Sequence, residues 1–484
     1  MATSLDHRFL TPLSQSPWPH YAVDQLLWRR LGDDLAAGRA TLLSLWAEPD
    51  SVHLCLLDEA ARRVAIVSLA AVDGRFPSIA RRHVPALRLE RSIRDLTGLS
   101  PEGCPDLRPW LNHDQPYSFL PAEGPGVHEI AVGPIHAGVI EPGHFRFSVN
   151  GETVVRLEAR LGYCYRGVEQ LMLGQDLATA GRMCARICGD STVAYSYAFA
   201  VAVEQALNVV VPQRGQWLRA LMAELERVAN HLGDIGFICN DAAMAVLHAQ
   251  FGALREEVLQ SAEACLGHRL MMDRVVPGGV ASDLDDRGRA NLLEWLTDAE
   301  RRFARLIEIY DNSASLKERT LGTGILSAGL AARFGAGGFV GRASGRAFDA
   351  RKQLPYAPYP ELDFSVTVLN RGDVNARLWV RQCEVRQSFG LIRNILALLP
   401  PGEVRTALPT PAGASEGLAI IEGFRGDILF WLRLDDAGRV AASHARDPSW
   451  FQWPLLEAAI AGNIVADFPL CNKSFNCSYA GVDR

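Results

Sequence analysis

The feature that most constrains the fold is a long stretch of helical periodicity in the middle of the chain. In the segment RGQWLRALMAELERVANHLGDIG, residues 214–236, apolar side chains recur every three or four positions, at Trp217, Leu218, Leu221, Leu225, Val228, Leu232 and Ile235. This spacing places them along one face of an α-helix, which must pack against other elements to be shielded from water. The pattern stays helical from Val168 to about Tyr310 and returns at 374–399, so the sequence predicts an α-rich region.

The same helix carries a polar stripe as well. Glu224, Arg227, His231 and Asp234 follow one another at spacings of three and four residues, so they share a helix face. Ionisable groups flanked by apolar residues indicate a polar seam between helices, and the alternative is a face exposed to solvent. The sequence alone leaves both interpretations open.

Strand-like segments lie on both sides of the helical region. The first 90 residues alternate one helical stretch with strand-like runs, SVNGETVV at 148–155 is the strongest hairpin signal, and 416–436 is again rich in strand formers. Because 484 residues exceed what one hydrophobic core usually supports, and because PAEGPG at 121–126 is the best linker candidate, we expect two domains. These are a small α+β domain at 1–120 and an α-rich domain at 121–484, which gives an α+β fold class.

Charge and hydropathy exclude two classes of protein. The net charge is −6 and no basic stripe is available to neutralise phosphates, which argues against a nucleic-acid-binding protein. The N-terminal residues lack the charged start and apolar core of a secretory signal. The longest apolar run, 193–211, is interrupted by Glu204 and Gln205, so we interpret it as a buried helix rather than a membrane span. A soluble or peripheral protein is expected.

Two groups of cysteines are candidate ligands for a soft metal. In GRMCARICGDST, residues 181–192, Cys184 and Cys188 are four positions apart, so a helix ending at Gly189 would place both on one face. A thiolate beside a glycine turn suits a soft metal, and the simpler alternative is a small apolar side chain in the core. Cys471 and Cys477 form the second group, and their spacing does not match a CxxC metal clip.

Two further motifs carry ionisable groups. In YRGVEQ, residues 165–170, Arg166 and Glu169 are spaced as helix neighbours. A buried Glu169 would carry protons, whereas an exposed pair would be a weak surface ion pair. His136 and His144 lie in the Gly/Pro-rich stretch GPIHAGVIEPGHF, where a histidine either faces a ligand or is simply structural or exposed. The chain contains no signature of a nucleotide-binding loop, a zinc protease or a serine hydrolase.

Taken together, these segments resemble one family over nearly the whole chain: the large subunit of membrane-bound, energy-converting nickel–iron hydrogenases and the quinone-proximal large subunit of complex I. The N-terminal stretch ERSIRDLTGLSPEGCPDLRPWL is similar to the complex I accessory subunit, here fused as in the large subunit of formate hydrogenlyase. The resemblance rests on ten segments in the order of the family: HEIAVGPIHAG, YRGVEQ, RICG, ELERVANHLGDIG, RVVPGGV, GRASG, LPYAPY, GDVNARLWVRQCEVRQS, EGFRGDILFWL and VDR.

The resemblance implies a fold, partners and a location. The large-subunit domain would have a four-helix core with β segments at one side. It would bind a small iron–sulfur subunit, whose nearest cluster delivers electrons, and it would dock on membrane-arm subunits that move ions. The location implied is peripheral, on the cytoplasmic side of the inner membrane.

The resemblance also implies a metal site, from which this sequence departs. In the hydrogenases an early and a late pair of cysteines hold nickel and bridge to iron. Here Cys188 matches the early pair, but Ser191 and Tyr195 replace its second cysteine and a following histidine. Cys477 matches the late pair, its partner falls near Ala480 or Gly481, and Cys471 is extra. Cys184 and Cys471 are the candidates for substitute ligands beside Cys188 and Cys477.

We therefore expect a redox subunit with a degraded nickel–iron site, which passes electrons to a quinone or another small acceptor. By family analogy His136 would lie nearest a quinone headgroup, with Arg166 and His231 also in the binding site. Glu169 would be the first proton carrier, and Tyr195 would donate a hydrogen bond in the emptied site. The alternatives are an active hydrogenase with a residual nickel or nickel–iron site, and a non-catalytic scaffold between the iron–sulfur subunit and the membrane arm.

Overall fold

A computed structural model describes residues 18–111, 113–114, 116–136 and 140–484. The N-terminal module, residues 18–111, contains a four-stranded sheet in the order β1-β4-β3-β2, in which β1 runs parallel to β4 and the other pairs are antiparallel. Asp24 caps the first helix by accepting the Leu27 N–H, and Gly98 ends the second at a positive φ of 78°. The elements are β1 (His20–Ala22), α1 (Gln25–Ala36), β2 (Thr41–Glu48), β3 (Ser51–Asp58), β4 (Arg63–Ala70), β5 (Arg75–Pro77), α2 (Leu87–Thr97) and β6 (Ser100–Glu102).

A three-stranded antiparallel sheet follows the module. It consists of β7 (Val127–Val132), β8 (His144–Asn150) and β9 (Thr153–Arg160). Strands β8 and β9 close a hairpin in which Asn150 pairs with Thr153, as the SVNGETVV pattern predicts. Phe145 and Phe147 of β8 are buried and pack edge-on against Phe468, which attaches this sheet to the C-terminal part of the chain.

The centre of the protein is helical, as the periodicity predicts. Helices α6, α7, α8 and α13 pack together around one apolar core, which agrees with the four-helix core that the resemblance implies. The helices of this region are α3 (Val168–Met172), α4 (Leu177–Cys184), α5 (Thr192–Ala206), α6 (Gln213–Asp241), α7 (Ala245–Leu266), α8 (Asp286–Asp311), α9 (Ala314–Thr320), α10 (Ala328–Arg333), α11 (Gly338–Ala343), α12 (Ala350–Gln353) and α13 (Val374–Leu398). A two-stranded pair, β10 (Val275–Val276) and β11 (Gly279–Val280), lies between α7 and α8.

A third sheet and three helices complete the chain. The antiparallel strands are β12 (Ser415–Gly423), β13 (Gly426–Leu434) and β14 (Val440–Arg446), followed by α14 (Ser449–Ala459), α15 (Phe468–Phe475) and α16 (Ala480–Asp483). Helix α5 packs on this sheet, and apolar side chains of β12 and β13 share a cluster with β2, β3 and β4 of the N-terminal module. The mixed helices and sheets confirm the α+β fold class, while the domain boundary near residue 120 stays a prediction.

Polar contacts also tie the module to the rest of the chain. The Arg88 guanidinium donates to both oxygens of the Glu457 carboxylate at 2.7 and 2.6 Å. Ser44 Oγ lies 2.7 Å from His444 Nε2, and both side chains are buried. We call this interface between the N-terminal module and the remainder the seam.

Two local predictions about the motifs are wrong. Helix α4 ends at Cys184, and Cys188 lies beyond it in extended backbone at φ −142° and ψ 115°, so the two thiols do not share a helix face. Helix α3 begins only at Val168, after Gly167 in the left-handed region, so Arg166 precedes the helix that carries Glu169. Between the two cysteines the chain turns at Ala185 and Arg186, and before Glu169 the left-handed Gly167 delays the start of the helix.

The structure resolves one open alternative and confirms one prediction. Glu224, Arg227, His231 and Asp234 are all buried, so the polar stripe of α6 lies between packed elements and is not a solvated face. The apolar run at 193–211 forms the buried helix α5. Among the described residues no helix combines the length and the apolar character that crossing a membrane requires.

Candidate functional site

The candidate site is a cavity of about 400 Å³ between the start of the helical region and the C-terminal turn. Its walls include Cys188, Asp190, Asp234, Arg425, Lys473 and Cys477. We call it the thiol cavity. It brings together segments that are almost 300 positions apart in sequence, and it lies where the RICG and C-terminal motifs meet.

Cys188 reaches the cavity because the chain leaves α4 and extends before α5 begins. Its Sγ lies 2.9 Å from Ser478 Oγ and donates to Asp190 Oδ1 at 3.0 Å. Burial, reinforced by the charge of Asp190, raises the pKa of the Cys188 thiol, although Arg425 acts in the opposite direction. The thiol is therefore protonated at neutral pH and is a poor nucleophile or metal ligand as it stands.

Arg425 organises this wall from the turn between β12 and β13. Its guanidinium donates to both oxygens of Asp190 at 2.6 and 2.5 Å and to Ser191 Oγ at 3.1 Å. Its Nε donates to the Asn476 carbonyl at 2.5 Å. Arg425 is buried while Asp190 is partly exposed at the cavity, so this ion pair presents one carboxylate to whatever occupies the space.

The C-terminal wall is formed by the turn after α15. Asn476, at a positive φ of 48°, ends that helix and turns the chain toward the cavity. The Ser478 N–H donates to Ser449 Oγ at 2.9 Å and the Trp453 indole donates to the Ser478 carbonyl at 3.1 Å, which fixes the position of the turn. Burial raises the pKa of the neighbouring Cys477 thiol.

The four candidate thiols do not form one ligand set. Cys188 and Cys477 line the thiol cavity, but Cys184 is buried behind it and donates to the Tyr195 carbonyl at 3.3 Å. Cys471 is buried against Gly324, where an added Cβ would approach its sulfur to 2.5 Å. In the described part of the chain no three His, Cys, Asp or Glu side chains are grouped so that they could hold a metal ion. A nickel–iron centre needs four thiolates, and this donor set does not fit it.

The loop that carries His136 borders the same cavity. The His136 ring lies 6.5 Å from the ring of Tyr479, and Ile140, Glu141 and Tyr479 line the cavity. Its Nε2 is buried without a partner among the described residues, and burial together with Lys473 lowers the pKa of His136. Residues 137–139 of the predicted ligand-facing loop lie outside the described residues. His144, the second loop histidine, begins strand β8 instead.

Tyr195 lies behind the cavity rather than in its wall. Its hydroxyl donates to Asp447 Oδ2 at 2.8 Å, and burial, then the charge of Asp447, raises the pKa of Tyr195. Asp447 in turn lies against Gly481, where a Cβ would approach the carboxylate to 2.6 Å. Tyr195 thus positions Asp447 beneath the C-terminal turn. Its hydroxyl already donates its one hydrogen to Asp447.

Arg166 links the C-terminus to the backbone that precedes Cys188. Its guanidinium donates to the carbonyls of Arg186 and Ile187 at 2.9 and 2.7 Å. Its backbone N–H and that of Gly167 donate to the Arg484 carbonyl at 2.9 and 3.1 Å. Arg166 is a positioning residue in this structure and does not line the thiol cavity.

Glu169 belongs to a different cavity. This second space, of about 380 Å³, lies between the N-terminal module and the third sheet, and we call it the seam cavity. Glu169 accepts hydrogen bonds from Arg484 Nη1 at 2.7 Å and from the Ala445 N–H at 2.8 Å. Burial alone would raise the pKa of Glu169, but the Arg484 charge, the neighbouring His444 ring and the hydrogen bond from the Ala445 N–H lower it to about 2.

His231 lies in the buried polar stripe of α6 and not in a cavity wall. Its Nε2 lies 2.8 Å from Glu384 Oε2, and Arg342 donates to the other oxygen of that carboxylate at 2.8 Å. Burial lowers the pKa of His231 against the opposing effect of Glu384. The residue of this stripe that reaches the thiol cavity is Asp234. It accepts hydrogen bonds from Arg381 at 3.0 Å and from Asn476 at 2.8 Å.

Sequence reasoning did not single out several residues that form the site. Asp190, Arg425, Ser478 and Lys473 all line the thiol cavity. Asp190 and Ser478 are next to the cysteines that the sequence did single out, and Arg425 lies within the EGFRGDILFWL motif. A charged residue beside a glycine, between two strand-forming runs, was the available signal for Arg425.

Comparison with known proteins places these motifs in context. Residues 166–234 match the model of the nickel-dependent hydrogenase family, and residues 242–412 match that of the respiratory-chain NADH dehydrogenase 49 kDa subunit. The chain is 33% identical to the carbon monoxide-induced hydrogenase of Rhodospirillum rubrum, over 74% of this chain and 99% of that protein. It is 30% identical to hydrogenase-4 component G of Escherichia coli, over 90% of this chain and 81% of that protein.

A solved structure shows the same similarity at the level of the fold. A chain in the structure of the membrane-bound sulfane sulfur reductase, described as an archaeal respiratory membrane complex, superposes with a TM-score of 0.70 at 27% identity. The match covers 74% of this chain and 99% of that one. The resemblance read from the ten sequence segments is confirmed, and so is the fold of the large-subunit region.

Proposed function

Since the chain belongs to the family that unites the large subunits of nickel-dependent hydrogenases with the 49 kDa subunit of NADH dehydrogenases, and is an oxidoreductase subunit, we propose that it reduces a small acceptor within a membrane complex. Electrons come from an iron–sulfur cluster of a partner subunit. The acceptor is a quinone or a molecule of similar size, held in the thiol cavity. The subunit sits peripherally on the cytoplasmic side, docked on a membrane arm.

The observation that carries this proposal is the combination of a roomy cavity with an incomplete metal ligand set. The cavity of about 400 Å³ falls within the range of small-molecule sites, roughly 300–1,000 Å³. Lys473, Arg255 and Tyr479 line the cavity and carry hydrogen-bond donors for the carbonyl oxygens of a quinone. Reduction of a quinone to a hydroquinone takes up two electrons and two protons. His136, beside Tyr479, borders the site at which those protons are needed.

The residues that line the thiol cavity do not favour the nickel–iron chemistry of the hydrogenases. Two cysteines, Cys188 and Cys477, line the cavity, and Cys188 is in contact with the Ser478 hydroxyl rather than with a further thiolate. A hydroxyl is a hard, weakly acidic donor and does not replace a thiolate for nickel. Glu169, ionised beside Arg484 in the other cavity, has no part in the proposed reduction.

A second candidate acceptor is sulfane sulfur. The observation that favours it is the pair of cysteines, Cys188 and Cys477, in one cavity with the Arg425 guanidinium, a set suited to a sulfur chain with partial negative charge. The name of the solved relative points to the same substrate class. Cleavage of one sulfur–sulfur bond takes up two electrons and two protons and gives two thiols, so the electron supply is the same as for a quinone.

The test uses membranes that contain the assembled complex, with reduced methyl viologen as electron donor. A short-chain ubiquinone, polysulfide or protons are supplied separately, and viologen oxidation is followed. We expect oxidation with one of the first two and at least tenfold less in Lys473→Met, with no change in the matched variant Lys317→Met, which removes a partly exposed lysine outside both cavities. Hydrogen evolution would support the hydrogenase alternative, and no oxidation with any acceptor would support the scaffold.

Metal analysis tests the hydrogenase alternative independently of the activity assay. The purified complex is measured for nickel by mass spectrometry and for iron-bound CO and cyanide by infrared spectroscopy. We expect iron from partner clusters only. Stoichiometric nickel with CO and cyanide bands would contradict the proposal, whatever the activity assay gives.

A further inference from the structure

The seam cavity is not explained by the reduction of an acceptor in the thiol cavity. We propose that it is a second binding site, for an uncharged, flat and mainly apolar small molecule. The cavity of about 380 Å³ is large enough for such a molecule. It is bounded by β2 and α2 of the N-terminal module, by α3, by β13 and β14, and by Arg484.

The walls of the seam cavity are mainly apolar. Trp46, Trp431, Leu89 and Ile93 are all buried and line it. The Trp46 ring stacks on His444 at 5.0 Å with an interplanar angle of 8°, and it lies 5.4 Å from the Trp431 ring. Stacked aromatic walls held on two sheets bind flat apolar groups without having to reorganise.

The charges around the cavity are already paired. On its floor Arg484 Nη1 donates to Glu169 and lies 3.0 Å from His444 Nδ1. Because burial lowers the pKa of His444 to about 4, that ring is neutral, and it accepts from Arg484 at Nδ1. At the rim Arg433 donates to both oxygens of Glu48 at 2.8 and 2.5 Å. One cation and one anion therefore cancel at each end, which favours a neutral ligand over an ion.

Benzophenone is a suitable probe, because it is neutral and apolar and carries one carbonyl group. On irradiation its excited carbonyl abstracts a hydrogen atom from a nearby C–H group, and the two carbon radicals join, so the site is recorded as a covalent adduct. The full chain is irradiated with benzophenone, alone and in membranes that contain the assembled complex. Adducts are mapped by peptide mass spectrometry. We expect them to concentrate in α2, at Leu89, Ile93 and Leu96, and in β14.

Two variants and one matched control decide the outcome. Ala442→Leu fills the cavity from β14, and Leu173→Arg places a charge at its half-exposed rim, a position that tolerates substitution. We expect each to lower labelling of α2 at least tenfold, while Ala437→Leu, in the exposed turn before β14, changes nothing. Thermal unfolding checks that each variant is folded.

Three results would overturn the proposal. The first is labelling of α2 that neither folded variant reduces. The second is labelling spread evenly over the surface. The third is labelling of the isolated chain that vanishes in the assembled complex, because a partner subunit would then occupy the cavity.

Discussion

The thiol cavity and the seam cavity have nearly the same volume, about 400 and 380 Å³, but their walls differ in kind. The thiol cavity presents two cysteines and a partly exposed Asp190, held by the turns that follow α4 and α15. The seam cavity presents stacked aromatic rings on strands and charges that are already paired. Similar space therefore supports different chemistry: one cavity offers groups that can react, and the other offers a surface that can bind.

The two cavities also differ in the pKa of a glutamate beside each one. Glu226 lies behind Asp190 and accepts the backbone N–H groups of Val193 and Ala194 at the start of α5. Burial, and to a smaller degree Asp190, raises the pKa of Glu226 to about 8. The Glu169 side chain is also largely enclosed, at 14% exposed, but the Arg484 charge lowers its pKa to about 2. Burial alone thus does not fix the protonation state of a carboxyl group, because the charge of the nearest partner decides it.

The largest expected effect is on stability in alkaline solution. The folded pKa of Glu226 is raised above its ordinary value of 4.5, so its stabilising effect is complete below pH 4.5 and is lost as the pH rises through about 8. The loss is on the order of 4 kcal/mol. In Glu226→Gln this slope between pH 5 and 9 should disappear, as measured by urea unfolding at a series of pH values. The exposed Glu294→Gln serves as control, and an unchanged slope in Glu226→Gln would refute the assignment.

A somewhat smaller effect of opposite sign is expected at the seam cavity. The folded pKa of Glu169 is lowered, so its contribution is present above pH 4.5 and is lost as the pH falls toward 2, by on the order of 3 kcal/mol. Glu169→Gln should lose that amount at neutral pH and show a flatter acid limb in denaturant titrations. Glu48→Gln breaks a pair in which the Arg433 side chain is 44% exposed and should cost less than about 1 kcal/mol. Equal costs for the two variants would show that burial of the pair does not matter.

The smallest effect concerns the reactivity of the Cys188 thiol. Burial and the charge of Asp190, which accepts a hydrogen bond from the thiol, raise the pKa of Cys188, while Arg425 lowers it. In Asp190→Asn the carboxylate is gone and the guanidinium remains, so the pKa of Cys188 should fall and its alkylation should be several-fold faster. Iodoacetamide labelling at pH 8, read at the Cys188 peptide, measures this rate. Asp234→Asn, in the same cavity but paired with Arg381, should leave the rate unchanged.

Local periodicity allowed much of the fold to be predicted. The α6 pattern, the buried α5 run and the hairpin at Asn150 depend on neighbours within a few positions, and all three are present. The burial of Glu224, Arg227, His231 and Asp234 settles a question that periodicity raised but could not answer, because a stripe does not show what packs against it.

The candidate sites were less predictable, because they depend on contacts between distant segments. Cys188 meets Ser478 across 290 positions, and Glu169 meets Arg484 across 315. Spacing within YRGVEQ gave no indication that Glu169 would face the seam cavity rather than the thiol cavity. The turn at Ala185 and Arg186 and the left-handed Gly167 redirect the chain within these motifs, and a periodicity argument does not detect such changes of direction.

The seam itself has a consequence for how tightly its two faces must bind. The contacts that cross it, such as Arg88 with Glu457 and Ser44 with His444, join parts of a single chain. A covalent tether gives two such faces an effective concentration in the millimolar range, so their association needs no high intrinsic affinity. Two separate subunits with the same contact surface would have to find each other at cellular concentrations. A fused chain can therefore leave space for a ligand in its seam, where separate partners would need every contact to stay together.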